Sequence, residues 1–181
     1  MEWFIPGTVL KADRAAAVDQ QFSAMFLGGG IVLSQVTAIT GLEAYAVQNW
    51  VKRGFLSPPE RKHYSLEQLC RIININMLKN VLPMERIVGL LSYINGDLDD
   101  ESDDIIGDSQ LYFMFVRLAA QSRMMNTPQG RDECIAKELA DYREPVPGAK
   151  ERVEKVLTIM LTAWASAQLR LAAEQMLQEL N

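Results

Sequence analysis

The sequence predicts a mainly α-helical protein with one small β-wing and a helical carboxy-terminal region. Three observations carry this. Apolar residues recur at helical spacing along most of the 181 residues. Gly and Pro clusters cut the first half into short helices, with one basic stretch between them that suits a strand. A run of about thirty residues, 149–180, then carries no breaker and would form a helix roughly 45 Å long.

Taken in order, residues 1–30 form an amino-terminal helical arm. An apolar MEWFIPG leads into a helical stretch near 12–27, and Gly28-Gly29-Gly30 ends it as a hinge. A phosphate loop would need a preceding strand and a Gly-Lys-Ser/Thr ending, which are absent. Ser34 is the expected N-cap of the next helix, with Val36 and Ile39 inward and Gly41 breaking it. The pattern resumes over 43–53 around Val47 and Trp50, and Gly54 stops it. Residues 55–59, with Pro58-Pro59, exclude a helix, because Pro lacks the donor and disfavours helical geometry before it. Arg61-Lys62-His63-Tyr64 would return as a short strand of a hairpin.

Ser65 and Gln68 form a capping box that opens a helix over 66–80. Pro83 suits the first turn of the next helix, whose core face carries Ile87, Leu90, Leu91 and Ile94, ending near Asn95-Gly96. After the polar stretch GDLDDESDD, helices are expected over 105–125 and 132–142, separated by a loop at 126–130. The predicted units are 1–30, 31–95 and a carboxy-terminal dimerisation and effector region, 96–181.

The formal charge is −5, so no global field announces a polyanion partner. From Leu33 to Asn95, however, seven bases (Lys52, Arg53, Arg61, Lys62, Arg71, Lys79, Arg86) face four acids (Glu43, Glu60, Glu67, Glu85). The segment is +3 and the remainder −8, an asymmetry that suits one face meeting an anion. Cys70 and Cys134 lie far apart with no pairing pattern, which fits a reducing compartment. The amino terminus lacks the pattern of a secretory signal, and no stretch reaches about 18 uninterrupted apolar residues. A cytoplasmic location is the expectation, with no membrane partner.

Two short helices meeting at a steep angle need Gly in the turn and apolar residues in the shared corner. With Leu33 as first position of a twenty-residue window, Gly41 falls at the turn, and Val36, Leu42, Val47 and Trp50 fall in the corner. Thr37 departs from the small Ala usual there. Along and beyond that window the chain carries Thr40-Gly41, Trp50, Lys52, Gly54-Phe55-Leu56-Ser57-Pro58, Lys62, Tyr64-Ser65, Glu67-Gln68-Leu69, Arg71-Ile72, then Leu82, Glu85 and Ile87. Over 33–94, about a third of the chain, this resembles the MerR-like family of winged helix-turn-helix regulators. GLEAYAVQNWVKRGFL and LLSYINGDLDDESDD look more narrowly like an uncharacterised bacterial family of that type, with a domain of unknown function. The resemblance implies a winged helix-turn-helix that binds double-stranded DNA and regulates transcription, pairing as a homodimer through a long carboxy-terminal helix. An unknown small-molecule or protein effector would act on it.

On 43–53, the side away from Val47 and Trp50 presents Tyr45, Gln48 and Asn49. Gln and Asn suit adenine edges, and Tyr suits phosphate or stacking. Lys52 and Arg53 end the helix where phosphate would lie, and Arg61, Lys62 and His63 on the wing would approach phosphate or the minor groove. Trp50 reads as core. The plainer alternative for the basic cluster is a solvated helix end and turn. The chain also departs from the family. Glu43 stands where Ser often caps the recognition helix, Tyr45 and Gln48 stand where Arg is common, and the wing is about three residues short around Glu60–Lys62. These departures motivate an alternative from another class, a protein-interaction adaptor that keeps the winged fold without binding DNA.

The acids Asp97, Asp99, Asp100, Glu101, Asp103 and Asp104 fail as a calcium loop: counting from Asp97, Ser102 takes the Gly position and Asp108 the Glu position. They read instead as a polar loop leading into a helix N-terminus. No metal or nucleophile pattern supports an enzyme or a cofactor, and there is one His. Leu111, Phe115, Leu118, Val153, Val156, Met160, Trp164 and Leu171 supply the carboxy-terminal core, and 158–178 is apolar over more than one face without a clean heptad.

Overall fold

A computed structural model describes residues 3–96, 98, 104–121 and 127–180. Among these it contains eight α-helices and four two-residue strands. The chain is mainly helical, with two small antiparallel sheets.

The first thirty residues are less helical than expected. Trp3–Phe4 (β1) pairs with Lys11–Ala12 (β2), so the segment near Ala12 is a hairpin. A 3₁₀ turn, Ala15–Ala17, precedes α1, Val18–Met25. The apolar residues at Val18 and Phe22 alone give α1 its buried stripe, too short to extend it upstream. This arm packs on the body. Asn76 donates to the carbonyls of both Gly7 (2.9 Å) and Thr40 (3.0 Å), tying hairpin to helix corner. Tyr112 donates to the Pro6 carbonyl. Gly30 is more than a hinge: a Cβ there would lie 2.8 Å from His63 Cβ and from the Tyr64 carbonyl oxygen. Only a bare backbone fits so close to the strand it faces.

That strand is His63–Tyr64 (β4), and its partner is Ile31–Val32 (β3), in register Ile31↔Tyr64 and Val32↔His63. The expected strand over 61–64 is therefore half turn. Arg61 and Lys62 form a two-residue tip with φ of 48° and 68°, closed by the His63 amide donating to the Glu60 carbonyl at 2.8 Å. Two positive φ values in succession are the mark of a type I′ turn, the tightest hairpin connection.

Helix α2, Leu33–Thr40, begins one residue before Ser34, which is not its cap. Gln35 Oε1 instead accepts from the Val32 amide at 3.0 Å. Gly41, at φ 69°, turns the chain into α3, Ala44–Lys52. That left-handed conformation is available to Gly without penalty. α4, Leu66–Leu78, is capped as expected: Ser65 Oγ accepts from the Gln68 amide (3.1 Å) and Gln68 Oε1 from the Ser65 amide (2.9 Å). It is buried nearly all round, through Leu69, Cys70, Ile72, Ile73, Ile75, Met77 and Leu78, and is the centre of the molecule.

α5, Met84–Asn95, starts after Pro83, which sits at the cap and not inside the first turn. Asp97, Asp99, Asp100, Glu101 and Asp103 of the acidic stretch lie outside the described residues. α6, Asp108–Ala119, is shorter than 105–125; Ile105 and Ile106 are buried ahead of it, and 122–126 lie outside the described residues. α7, Pro128–Glu138, begins four residues early, inside the expected loop. Thr127 Oγ1 accepts from the Gly130 amide at 3.1 Å and Pro128 takes the first helical position, so residues 127–130 are a helix start and not a spacer.

α8, Ala149–Gln178, spans the last predicted helix. α4 packs against α6, α5 and α8, and one hydrophobic core continues from the arm through α8. The inner half of α8 contributes Val153, Val156, Leu157, Met160, Leu161 and Ala163 to it. Beyond Trp164, whose ring meets Phe115 edge-on at 6.0 Å, the helix leaves the body and exposes Leu169, Leu171, Met176 and Leu177. Among the described residues α8 is the one helix long and apolar enough to cross a membrane by length and composition, a test a core helix passes equally.

Candidate nucleic-acid interface

Helix α3 owes its two faces to spacing. Val47 and Trp50 are buried against α2, Trp50 at 5% exposure, as its inward position requires. Tyr45, Gln48, Asn49 and Lys52 occupy i, i+3, i+4 and i+7, which places them on one stripe of the helix. All four are exposed, Tyr45 at 73%. Among the described residues, the acidic carboxy-terminal half leaves this stripe uncovered. Glu43 is the N-cap residue but makes no side-chain cap bond, so the first-turn amides of α3 lack a side-chain partner from it.

The basic residues divide into exposed and engaged. Lys52, Arg61 and Lys62 are exposed. Arg53, expected on phosphate, is shared: its Nη2 meets Glu85 Oε1 on α5 at 3.1 Å, and its guanidinium lies 4.4 Å from the Phe55 ring centroid. Both partners of that pair are substantially exposed, so water competes for it. Arg71, counted with the positive segment, is 3% exposed and adds nothing to the surface. Its Nε donates to the Phe55 carbonyl (3.0 Å) and its Nη1 to Asp108 Oδ2 (3.2 Å).

Arg61 and Lys62 carry a conformational penalty at the tip of this hairpin. For residues with a Cβ, left-handed geometry costs about 1 kcal/mol or more each. Two consecutive cations holding it is an outlier of the kind found where a side chain is presented for a purpose. His63, also exposed, donates from Nδ1 to the Arg61 carbonyl at 3.0 Å in the tautomer that fits this contact, which steadies the tip and leaves Nε2 outward. Behind the tip, Gln68 Nε2 lies 3.0 Å from the Ser57 carbonyl, the Ser57 hydroxyl and the Pro58 carbonyl, fixing the proline turn to α4.

The seam between α4 and α6 escaped sequence reading. Glu67 Oε2 accepts from the Ser109 amide (2.8 Å) and Oε1 from its hydroxyl. Burial pushes the Asp108 carboxyl above its ordinary range; Arg71 opposes this and Glu67 adds to it. Burial, then Glu67 and Asp108, pushes the Cys70 thiol well up, which leaves it an inert buried thiol. The signal was present: Arg71 and Asn74 interrupt an otherwise apolar LCRIININML, and polar groups there must find partners. No group of three or more metal-ligating side chains occurs among the described residues.

Residues 30–115 match a family described as "Domain of unknown function (DUF1836)". The match runs from β3 into α6 and includes every candidate interface residue together with Arg71 and Asp108. The chain is similar to the uncharacterized protein YkrK of Bacillus subtilis (strain 168), 33% identical over 86 residues. That similarity covers 45% of this chain and 37% of the relative, so well under half of the relative's length is spanned. No solved structure matches the chain.

Proposed function

We propose that the chain is a sequence-specific DNA-binding transcriptional regulator of the MerR-like, winged helix-turn-helix type. In this reading α3 enters the major groove and the Arg61–Lys62 tip meets phosphate or the adjacent minor groove. The observation that carries it is the exposed Tyr45–Gln48–Asn49–Lys52 stripe accompanied by a strained, doubly cationic turn. Amide side chains suit adenine edges, and neutralised phosphates supply the affinity. A homodimer completes the reading. The outer half of α8 exposes Leu169, Leu171, Met176 and Leu177 on a helix already anchored in the core, and two-fold pairing would double the bases read.

The adaptor reading draws on two observations: Glu43 leaves α3 without a side-chain cap, and Arg53 is engaged by Glu85. Duplex selection from genomic fragments, then a salt titration on the enriched sequence, separates the two. DNA binding requires log K to fall linearly with log salt, and neutral replacement of Lys52 or Lys62 to lower that slope by about one each. Absence of enrichment, or affinity indifferent to salt, favours the adaptor.

A further inference from the structure

We propose that the amino-terminal turn at 5–10, clamped by Asn76, is a working part of the DNA reader: it fixes the end of α2 and thereby the angle at which α3 meets the duplex. Asn76 is the positioning residue of this device. The effect on DNA rests on the DNA-binding reading; the hold on α3 does not.

α2 ends, as any helix does, with carbonyls that its own turns cannot satisfy. The Gly41 amide takes that of Thr37 at 2.9 Å. Those of Ile39 and Thr40 are met from outside the helix pair. The Val9 amide donates to Ile39 at 2.9 Å, and Asn76 Nδ2 of α4 donates to Thr40 at 3.0 Å and to Gly7 at 2.9 Å. The two turns also touch: a Cβ on Gly41 would lie 2.8 Å from Val9 Cγ1. An arm upstream in sequence and a side chain downstream thus close on one helix end.

The turn is stiff enough to serve. The Ile5 amide donates to the Leu10 carbonyl across its base at 2.9 Å. Thr8 Oγ1 donates to the Ile5 carbonyl (3.0 Å) while accepting from the Leu10 amide (3.1 Å). A Cβ at Gly7 would lie 2.8 Å from Ile73 Cγ2, so the turn rests directly on α4. Tyr112 of α6 holds it at the Pro6 carbonyl, 2.9 Å away. The turn is therefore tied at once to α2, α4 and α6.

α3 depends on that hold. Only Gly41, Leu42 and Glu43 separate Thr40 from Ala44, the first residue of α3, and Glu43 gives the helix no side-chain cap. Asn49 stands five residues, or about 7.5 Å, along α3. A tilt of about 10° at the start of the helix moves it by about 1 Å, enough to break a bidentate bond to a base edge. Lys52 and Lys62, on long flexible stems, would follow a phosphate through such a shift. Loosening the turn should thus cost sequence discrimination and spare non-specific affinity.

Two measurements on the full chain test the proposal: amide hydrogen exchange without DNA, and affinity for the duplex enriched from genomic fragments against a scrambled duplex of equal length. Asn76→Leu keeps the volume and removes both donated bonds. Amides over 39–52 should exchange at least about tenfold faster while α6 and α8 stay protected as in wild type. The selected-to-scrambled affinity ratio should fall at least about tenfold, with the salt slope on the scrambled duplex unchanged. Tyr112→Phe, which takes only a hydroxyl from the same turn, should give that pattern at about threefold, and it decides alone if Asn76→Leu does not fold. Thr127→Ala, which uncaps α7, should leave the ratio unaltered. An unchanged ratio in a folded variant, an equal fall with Thr127→Ala, or faster exchange spread evenly over the chain overturns the proposal. If exchange quickens over 39–52 as described but wild type retains no duplex, the hold on α3 stands and the regulatory reading falls.

Discussion

Arg53 and Arg71 sit at the two ends of one problem, how to hold a guanidinium. Arg71, 3% exposed, lies in the α4–α6 seam, where its partners Asp108 and the Phe55 carbonyl are fixed by burial. Arg53, with 47% of its side chain exposed, has Glu85 at a similar distance but in water. The geometry is alike and the energetics are not. In the seam, breaking the contact strands a charge away from solvent; on the surface, it releases two solvated groups. The seam is therefore built to persist, while the exposed Arg53–Glu85 pair is held loosely by comparison.

The largest effect that would break this contrast lies in the seam. Arg71→Ala should cost about 3–5 kcal/mol in urea unfolding, because Asp108 is left buried and unpaired. A loss below about 1 kcal/mol would place the seam and the surface in one class. Its pH behaviour sharpens the point. Because burial raises the Asp108 carboxyl despite Arg71, the folded chain holds that proton more tightly than the unfolded one. The stability contributed by this group thus grows as pH falls through the folded value and is missing above it. The difference between wild type and Asp108→Asn, tracked by thermal melts, should increase in favour of wild type toward acid.

On the surface, Lys52→Gln with Lys62→Gln should lower affinity for the selected duplex at least about tenfold near 0.1 M salt, with no change in melting temperature. Ser65→Ala tests the joint between the regions. Loss of its cap bond should cost about 1 kcal/mol of chemical stability. The smallest effect is at Glu85→Gln, within about 1 kcal/mol of wild type. It should raise duplex affinity slightly by releasing Arg53, and a fall in affinity would show Glu85 doing something other than competing for that side chain.

How much of the molecule is legible in its sequence differs by region for a physical reason. Ser65 and Gln68, Gly41, and the Val47–Trp50 face are local signals, complete within a few residues, and each formed as its spacing requires. The exposure of Tyr45, Gln48 and Asn49 comes from the same period. The β3–β4 pairing joins residues about thirty positions apart, with Ile31 opposite Tyr64 and Val32 opposite His63, and no local pattern announces it. Arg71 counts as surface charge in the sequence because charge arithmetic is blind to burial. Thr127-Pro128 reads as a loop because a cap and a first-turn proline have the composition of one.

The doubly left-handed tip at Arg61 and Lys62 sets two kinds of directed evolution against each other. A library screened for heat resistance alone should drift to Asn-Gly at these positions, since those residues fill a type I′ bend without strain. A library screened for retention of a polyanion should keep the cations and tolerate the lower melting point. Sequencing both pools would read out, from one bend, whether the molecule trades robustness for grip.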